Sequence, residues 1–229
     1  MLGQSITRNS LLLALFAVVT TLLIAGTYLL TKDTIAQERR KAEEKALLEI
    51  VPARLHDNNM LDDTLVAKAG KTGLGLREDK TIYVARQAGQ AHAVILPVIA
   101  PDGYSGDIEL IVGVKRDGRV AGVRVLNHRE TPGLGDKVDL AKSDWVLSFN
   151  GRSLTEPSVE QWAVKKDHGV FDQFTGATIT PRAVVAATRR ALEYAQTHHD
   201  YLFGSSTKPD SATTNDKAEP ASNSGPGAL

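Results

Sequence analysis

Apolar and polar positions change their pattern several times along this chain, and each change predicts an element. From Leu11 to Leu30 the run LLLALFAVVTTLLIAGTYLL carries no charge. As a helix rising about 1.5 Å per residue it matches a hydrocarbon core of about 30 Å. The apolar run passes through Tyr28, Leu29 and Leu30 into Lys32 without an A-x-A-like cleavage site, so the pattern predicts a retained membrane helix rather than a removed leader. The following TIAQERRKAEEKALLEIV interleaves acids and bases at spacings that allow i,i+4 pairs, the mark of a helical stalk.

Past Pro52 the chain is polar and weakly patterned until TIYVARQAGQAHAVILPVIA, Thr81 to Ala100, where β-branched residues bracket a Gln-Ala-Gly-Gln turn. This predicts a hairpin. A clearer one follows in DIELIVGVKRDGRVAGVRVLNH. It sets Ile108, Leu110, Val112 and Val114 on one face, turns at Asp117-Gly118 and returns through Val123 and Val125. An antiparallel sheet with one buried face is expected. VDLAKSDWVLSFNG predicts a short helix whose Trp145 and Phe149 belong to the core, and SVEQWAVKK a strand or a second short helix. The last periodic segment, PRAVVAATRRALEYAQTHH, places Val184, Val185, Thr188, Leu192 and Ala195 on one stripe, with Arg189, Arg190 and Glu193 turned to water. Pro181 suits the first helical position, and Thr180 before it suits the cap.

The expected organisation is an α+β protein: residues 1–10 before the membrane, a transmembrane helix at 11–30, a stalk at 31–52, one folded domain at 53–203 with an antiparallel sheet flanked by helices, and a polar tail at 204–229. That tail is rich in Ser, Thr, Asn, Pro, Gly and Ala and buries too little apolar surface to offset its ordering entropy, so disorder is expected there.

Composition narrows the chemistry. Lys plus Arg equals Asp plus Glu at 27 each, so no polyanion-binding field is signalled and nucleic acid is not an expected partner. Cysteine is absent, which excludes thiolate-held iron–sulfur clusters, a thiol nucleophile and disulfides within the chain. No paired carboxylates or serine–histidine pair stand at convincing spacing, and His128, His198 and His199 read as loop or surface residues. Membrane orientation stays open from charge alone. Lys32, Arg39, Arg40, Lys41 and Lys45 follow the helix, but Asp33, Glu38, Glu43 and Glu44 are interleaved with them, and long domains cross largely regardless of flanking charge.

Two loops carry candidate chemistry. HRETPGLGDK, His128 to Lys137, interrupts the strand pattern with one proline and two glycines; such a loop can be a plain connector, or a place where backbone comes close to a ligand. DQFTGATITPR, Asp172 to Arg182, gathers three threonines around Gly176 at the mouth of a helix. Capping explains Thr180 but leaves Thr178 unused. A helix amino terminus favours a nearby phosphate, so a phosphate esterified to Thr178 would sit in a favourable field, although any small-residue turn before a helix looks similar.

The stretch Asp172-Gln-Phe-Thr-Gly-Ala-Thr178 resembles the flavinylation motif of bacterial FMN-binding domains, and Glu130-Thr-Pro-Gly-Leu-Gly135 resembles their second signature. With Gly103-Tyr-x-Gly106, Trp…Phe-x-Gly and the membrane anchor in order, roughly residues 5–203 resemble the family of the G subunit of the Rnf (Rsx) ion-translocating electron-transport complex. The C subunit of the sodium-translocating NADH:quinone reductase is similar to that family. Thr175 stands where that family commonly has serine, so the hydroxyl is kept.

The resemblance implies one FMN per chain, joined through its phosphate to Thr178 by a separate flavin transferase that uses FAD. Asp172, Thr175, Gly176 and Ala177 would be the segment that enzyme reads, and Glu130, Thr131, Gly133, Leu134 and Gly135 would approach the flavin. It implies a single-pass protein of the bacterial inner membrane with its FMN domain in the periplasm. Such a protein would relay electrons among the other members of a six-subunit complex, with no acid, base or nucleophile of its own required for turnover. Three other readings stand beside this one: the C-type subunit of the sodium-translocating NADH:quinone reductase, an anchored flavoprotein or sensor outside any ion pump, and threonines that serve only as caps.

Overall fold

The computed structural model describes residues 2–70 and 72–204. Helix α1 (Leu2–Ile50) is continuous. Its stretch Arg8–Ile35, whose most apolar 18 residues have a mean hydropathy of 2.3, is long and apolar enough to cross a membrane. The charged continuation does not end in solvent: Leu47, Ile50 and Val51 are buried in the folded domain.

Five strands follow: β1 (Thr64–Ala67), β2 (Lys80–Gln87), β3 (Gln90–Gly103), β4 (Gly106–Lys115) and β5 (Val120–Asn127). They form one antiparallel sheet in chain order. Both expected hairpins are present, turning at Ala88-Gly89 and around Asp117-Gly118. A third joins β3 to β4 through Tyr104-Ser105. β1 arises within the weakly patterned region, too short for alternation to reveal it. Its outer edge is covered by Tyr201 of α3 (His199–Phe203): the Val66 N–H donates to the phenol oxygen at 3.2 Å, and the phenol donates to the Val66 carbonyl at 3.1 Å.

Both sheet faces are covered, not one. The first carries Ile108, Leu110, Val112, Val114 and Val123 against helix α2 (Ile179–Thr197), whose Val184, Val185, Leu192 and Ala195 are buried, and against Val146, Phe149, Trp162 and Phe171. The second carries Ala85, Ala93, Ile95 and Ile111, packed under Leu47, Ile50, Val51 and Met60. Single-residue alternation along β4 gives way here because the end of α1 supplies the cover for the positions expected to face water. Short 3-10 turns at Gly135–Val138, Asp144–Phe149, Val159–Gln161 and Lys165–Asp167 fill the segment between β5 and α2.

The outward row of α2 is half-buried rather than solvated. The Arg190 guanidinium donates to the carbonyls of Gly73 at 2.9 Å and Ile99 at 3.4 Å, fastening the loop before β2 and the end of β3 to the helix. The expected disordered tail lies outside the described residues beyond Gly204.

Candidate functional site

The tip of the β3–β4 hairpin and the loop after β5 meet at one end of the sheet. The tip exposes Tyr104. The loop turns at Thr131–Leu134, where the N–H groups of Leu134 and Gly135 both donate to the Thr131 carbonyl at 3.1 Å. Pro132 occupies the second position of that turn and Gly133, with φ +78°, the third, the arrangement a type II turn requires. Just upstream, Glu130 points inward and is 4% exposed. Its Oε1 accepts the Ser105 N–H at 2.9 Å.

The segment leading into α2 is pinned at several points. The Trp145 indole N–H donates to the Asp172 carbonyl at 2.7 Å. The Trp145 ring meets Phe174 edge-on with centroids 5.1 Å apart, and Phe174 is buried. Between these anchors and the helix, the chain turns through Phe174–Ala177, with the Ala177 N–H donating to the Phe174 carbonyl at 3.1 Å. Gly176 adopts φ +81° at the third position. The two glycine turns face one another, since a β carbon on Gly176 would lie 3.6 Å from Cδ2 of Leu134.

Thr178 stands at the boundary of α2 in helical geometry, φ −88° and ψ −27°, and its side chain makes no capping bond. The expected cap, Thr180, is instead the second residue of the helix. It is fully buried, and its hydroxyl donates to Oε2 of Glu130. Pro181 is the third helical residue, where its missing N–H still costs nothing. A tertiary partner thus overrides the local capping preference: a buried carboxylate accepts a hydroxyl more strongly than a neutral group would.

Around Thr178 lies a cavity of about 330 Å³, lined by Tyr104, Glu130, Thr131, Leu134, Gly135, Gly176, Ala177, Thr178, Ile179 and Thr180. Seven of the ten residues expected from the sequence therefore converge on it. Gly133 is on the adjacent turn, shaping it without lining the cavity. Thr175 is exposed on the Phe174–Ala177 turn, and Asp172 is exposed with its carboxylate 2.6 Å from Lys165 Nζ. Tyr104, Ile179 and Thr180 were not anticipated. Gly103-Tyr-x-Gly106 was the available signal for Tyr104, whereas only the fold brings Ile179 and Thr180 to the site.

Beside the cavity the Arg182 guanidinium makes two 2.5 Å hydrogen bonds to Asp167, which hold that carboxyl below the usual carboxylate range. Among the described residues no His, Asp and Glu cluster has the make-up of a metal site. The residues fit a flavin phosphate. Thr178 offers a hydroxyl not engaged in capping, and the first N–H groups of α2 lie at the positive end of its dipole. Tyr104 at 68%, Ile179 at 45% and Leu134 at 41% exposure present apolar surface at the rim suited to a flat ring.

Comparison with known proteins identifies the family of the chain. Residues 103–193 match the FMN-binding domain family, and residues 1–50 match the RnfG N-terminal region. The G subunit of the ion-translocating oxidoreductase complex of Pseudomonas aeruginosa is 52% identical over 200 residues, 87% of this chain and 93% of that protein. Its counterpart in Vibrio cholerae is 48% identical over 198 residues, 86% of this chain and 94% of that protein. Among solved structures, the crystal structure of Shewanella oneidensis NqrC is 25% identical with a TM-score of 0.45, over 66% of this chain and 72% of that one. With half its residues shared over nearly the full length of those relatives, the chain belongs to the G-subunit family of ion-translocating oxidoreductase complexes.

Proposed function

We propose that this chain is the electron-carrying subunit of a membrane-bound ion-translocating oxidoreductase, working through one FMN joined by a phosphoester to Thr178. The observation that carries this reading is the convergence of two sequence motifs, about fifty residues apart, on the cavity around a threonine hydroxyl that caps nothing.

In attachment, the Thr178 oxygen forms a bond to the phosphorus of the FMN half of FAD while the FAD pyrophosphate bond breaks. AMP leaves and the hydroxyl proton passes to the flavin transferase. The exposed Thr175–Gly176 turn suits presentation to that second protein, and Asp172 belongs to the same surface. Once held, the flavin supplies one- or two-electron transfer. The chain's own part is positional: the first turn of α2 would steady the phosphate, and Tyr104, Leu134 and Ile179 would offer apolar surface to the ring. No side chain donates or removes a substrate proton.

The other members of a six-subunit redox complex are the proposed electron partners, with α1 anchored in the bacterial inner membrane and the domain in the periplasm. A covalent tether suits that compartment, where lost FMN could not be readily replaced. Intact-mass measurement after co-expression with a flavin transferase tests the proposal. One FMN adduct, mapped to Thr178 and abolished by Thr178→Ala but kept by Thr178→Ser, is expected. An unmodified wild-type chain, or an adduct surviving Thr178→Ala, overturns it. Activity of a periplasmic reporter fused after residue 203 tests the orientation.

A further inference from the structure

Left to local preference, α2 would begin two residues later than it does. Thr180 followed by Pro181 is a favourable cap and first helical position, yet the helix starts at Ile179 with Thr178 at its boundary. The difference lies in what the Thr180 hydroxyl does: it donates to Oε2 of Glu130, whose Oε1 accepts the Ser105 N–H at 2.9 Å. One buried carboxylate thus ties the first turn of α2 to the tip of the β3–β4 hairpin.

The surroundings are shaped to this carboxylate. A β carbon at Gly135 would lie 2.9 Å from Oε2 and 2.8 Å from the Thr180 hydroxyl, whereas one at Gly103 would first meet the Gly106 carbonyl across the hairpin at 2.2 Å, with Oε1 and the Ile108 side chain at 3.0 Å. Neither glycine has positive φ, so backbone conformation does not demand them. Gly135 leaves room for Glu130 and Thr180, while Gly103 leaves room first for the hairpin backbone.

We infer that Glu130 is a positioning residue for the acceptor threonine and not a flavin contact: by engaging Thr180 it draws the start of α2 forward and sets the Thr178 hydroxyl at the cavity. Without it, Thr180 reverts to capping, the helix begins at Pro181, and Thr178 falls back into the preceding turn. This deepens the proposed attachment of FMN to Thr178 and rests on it. Glutamine at 130 keeps an acceptor for Ser105 and offers an amide donor to the Thr180 oxygen, so it preserves the strut without the charge.

Two readouts on the full-length protein in detergent test the inference, using Glu130→Ala, Glu130→Gln, Thr180→Val and the Ala–Val double variant. The first is amide hydrogen exchange of the unmodified protein. Glu130→Ala and Thr180→Val should speed exchange by about tenfold or more at Gly103–Gly106 and Thr178–Arg182, the scale of a lost buried hydrogen bond, while β2–β4 stay protected. The second is the initial rate of FMN attachment by a flavin transferase supplied with FAD. It should fall by about tenfold or more in both variants, stay within about threefold of wild type in Glu130→Gln, and be no worse in the double variant than in either single one. Unchanged exchange in Glu130→Ala overturns the inference. So does equal slowing by Ala and Gln at 130, which would assign the effect to charge, or slowing that multiplies in the double variant. Should Glu130→Ala fail to fold, Glu130→Gln and Thr180→Val decide the question by the same criteria. A wild-type chain that accepts no FMN removes the attachment reading alone, since exchange still decides whether Glu130 sets the helix start.

Discussion

Ile50, the last residue of α1, lies against Gly113 in the middle of β4 so closely that a β carbon at 113 would fall 2.2 Å from the Ile50 Cγ2. That carbon is held rigidly beside the Ile50 backbone by β-branching, and the Ala121 Cβ, 3.2 Å from the same point, blocks a sideways escape. Gly113→Ala is therefore expected to destabilise the domain by about 1–3 kcal/mol, the cost of overpacking. Ile50→Ala in the same chain should recover part of that loss, because the two residues share one contact. Urea unfolding followed by the fluorescence of Trp145 and Trp162 measures both.

The turn before the acceptor gives a prediction of a different kind. Gly176 has φ +81°, and an added β carbon would meet only Leu134 at an ordinary 3.6 Å, so the penalty at this position comes from backbone conformation and not from crowding. Gly176→Ala should cost about 1 kcal/mol, whereas Gly176→Asn, which visits the left-handed region more readily, should cost less. FMN attachment should follow the same order, Gly above Asn above Ala, read as adduct yield at fixed transferase concentration.

Tyr83 gives the fold a dependence on alkaline pH. Burial, followed by a hydrogen bond to Glu43 of α1, holds its phenol well above the ordinary tyrosine value. The folded protein keeps this proton at pH values where the unfolded chain has lost it. The contribution is therefore complete below about pH 10 and declines as pH rises beyond that. Melting temperatures from pH 8 to 11.5 should show wild type falling more steeply than Tyr83→Phe above about pH 10, with the gap between them narrowing. Parallel curves would show that this phenol is not protected.

Much of this was fixed by local pattern. The charge-free run Leu11–Leu30 pointed to the apolar part of α1, because the hydrocarbon thickness a span must match is a property of composition and rise per residue. Alternation determined the hairpins and the apolar face carrying Ile108, Leu110, Val112 and Val114, since side chains on a strand change sides at every residue. Two short motifs pointed to the loops around Glu130 and Thr178 through their likeness to a family. What alternation could not disclose was the second sheet face: its cover is Leu47, Ile50 and Val51, which a reading along the chain assigns to a solvated stalk. Nor could it disclose where α2 begins. Thr180 and Pro181 carry a sound local capping signal, and only the arrival of Glu130 from fifty residues earlier redirects that hydroxyl. Periodicity and capping propensity act within a few residues and are written into the chain. The competition between a cap and a buried carboxylate is settled by contacts that exist only once the sheet has closed and brought the two loops together.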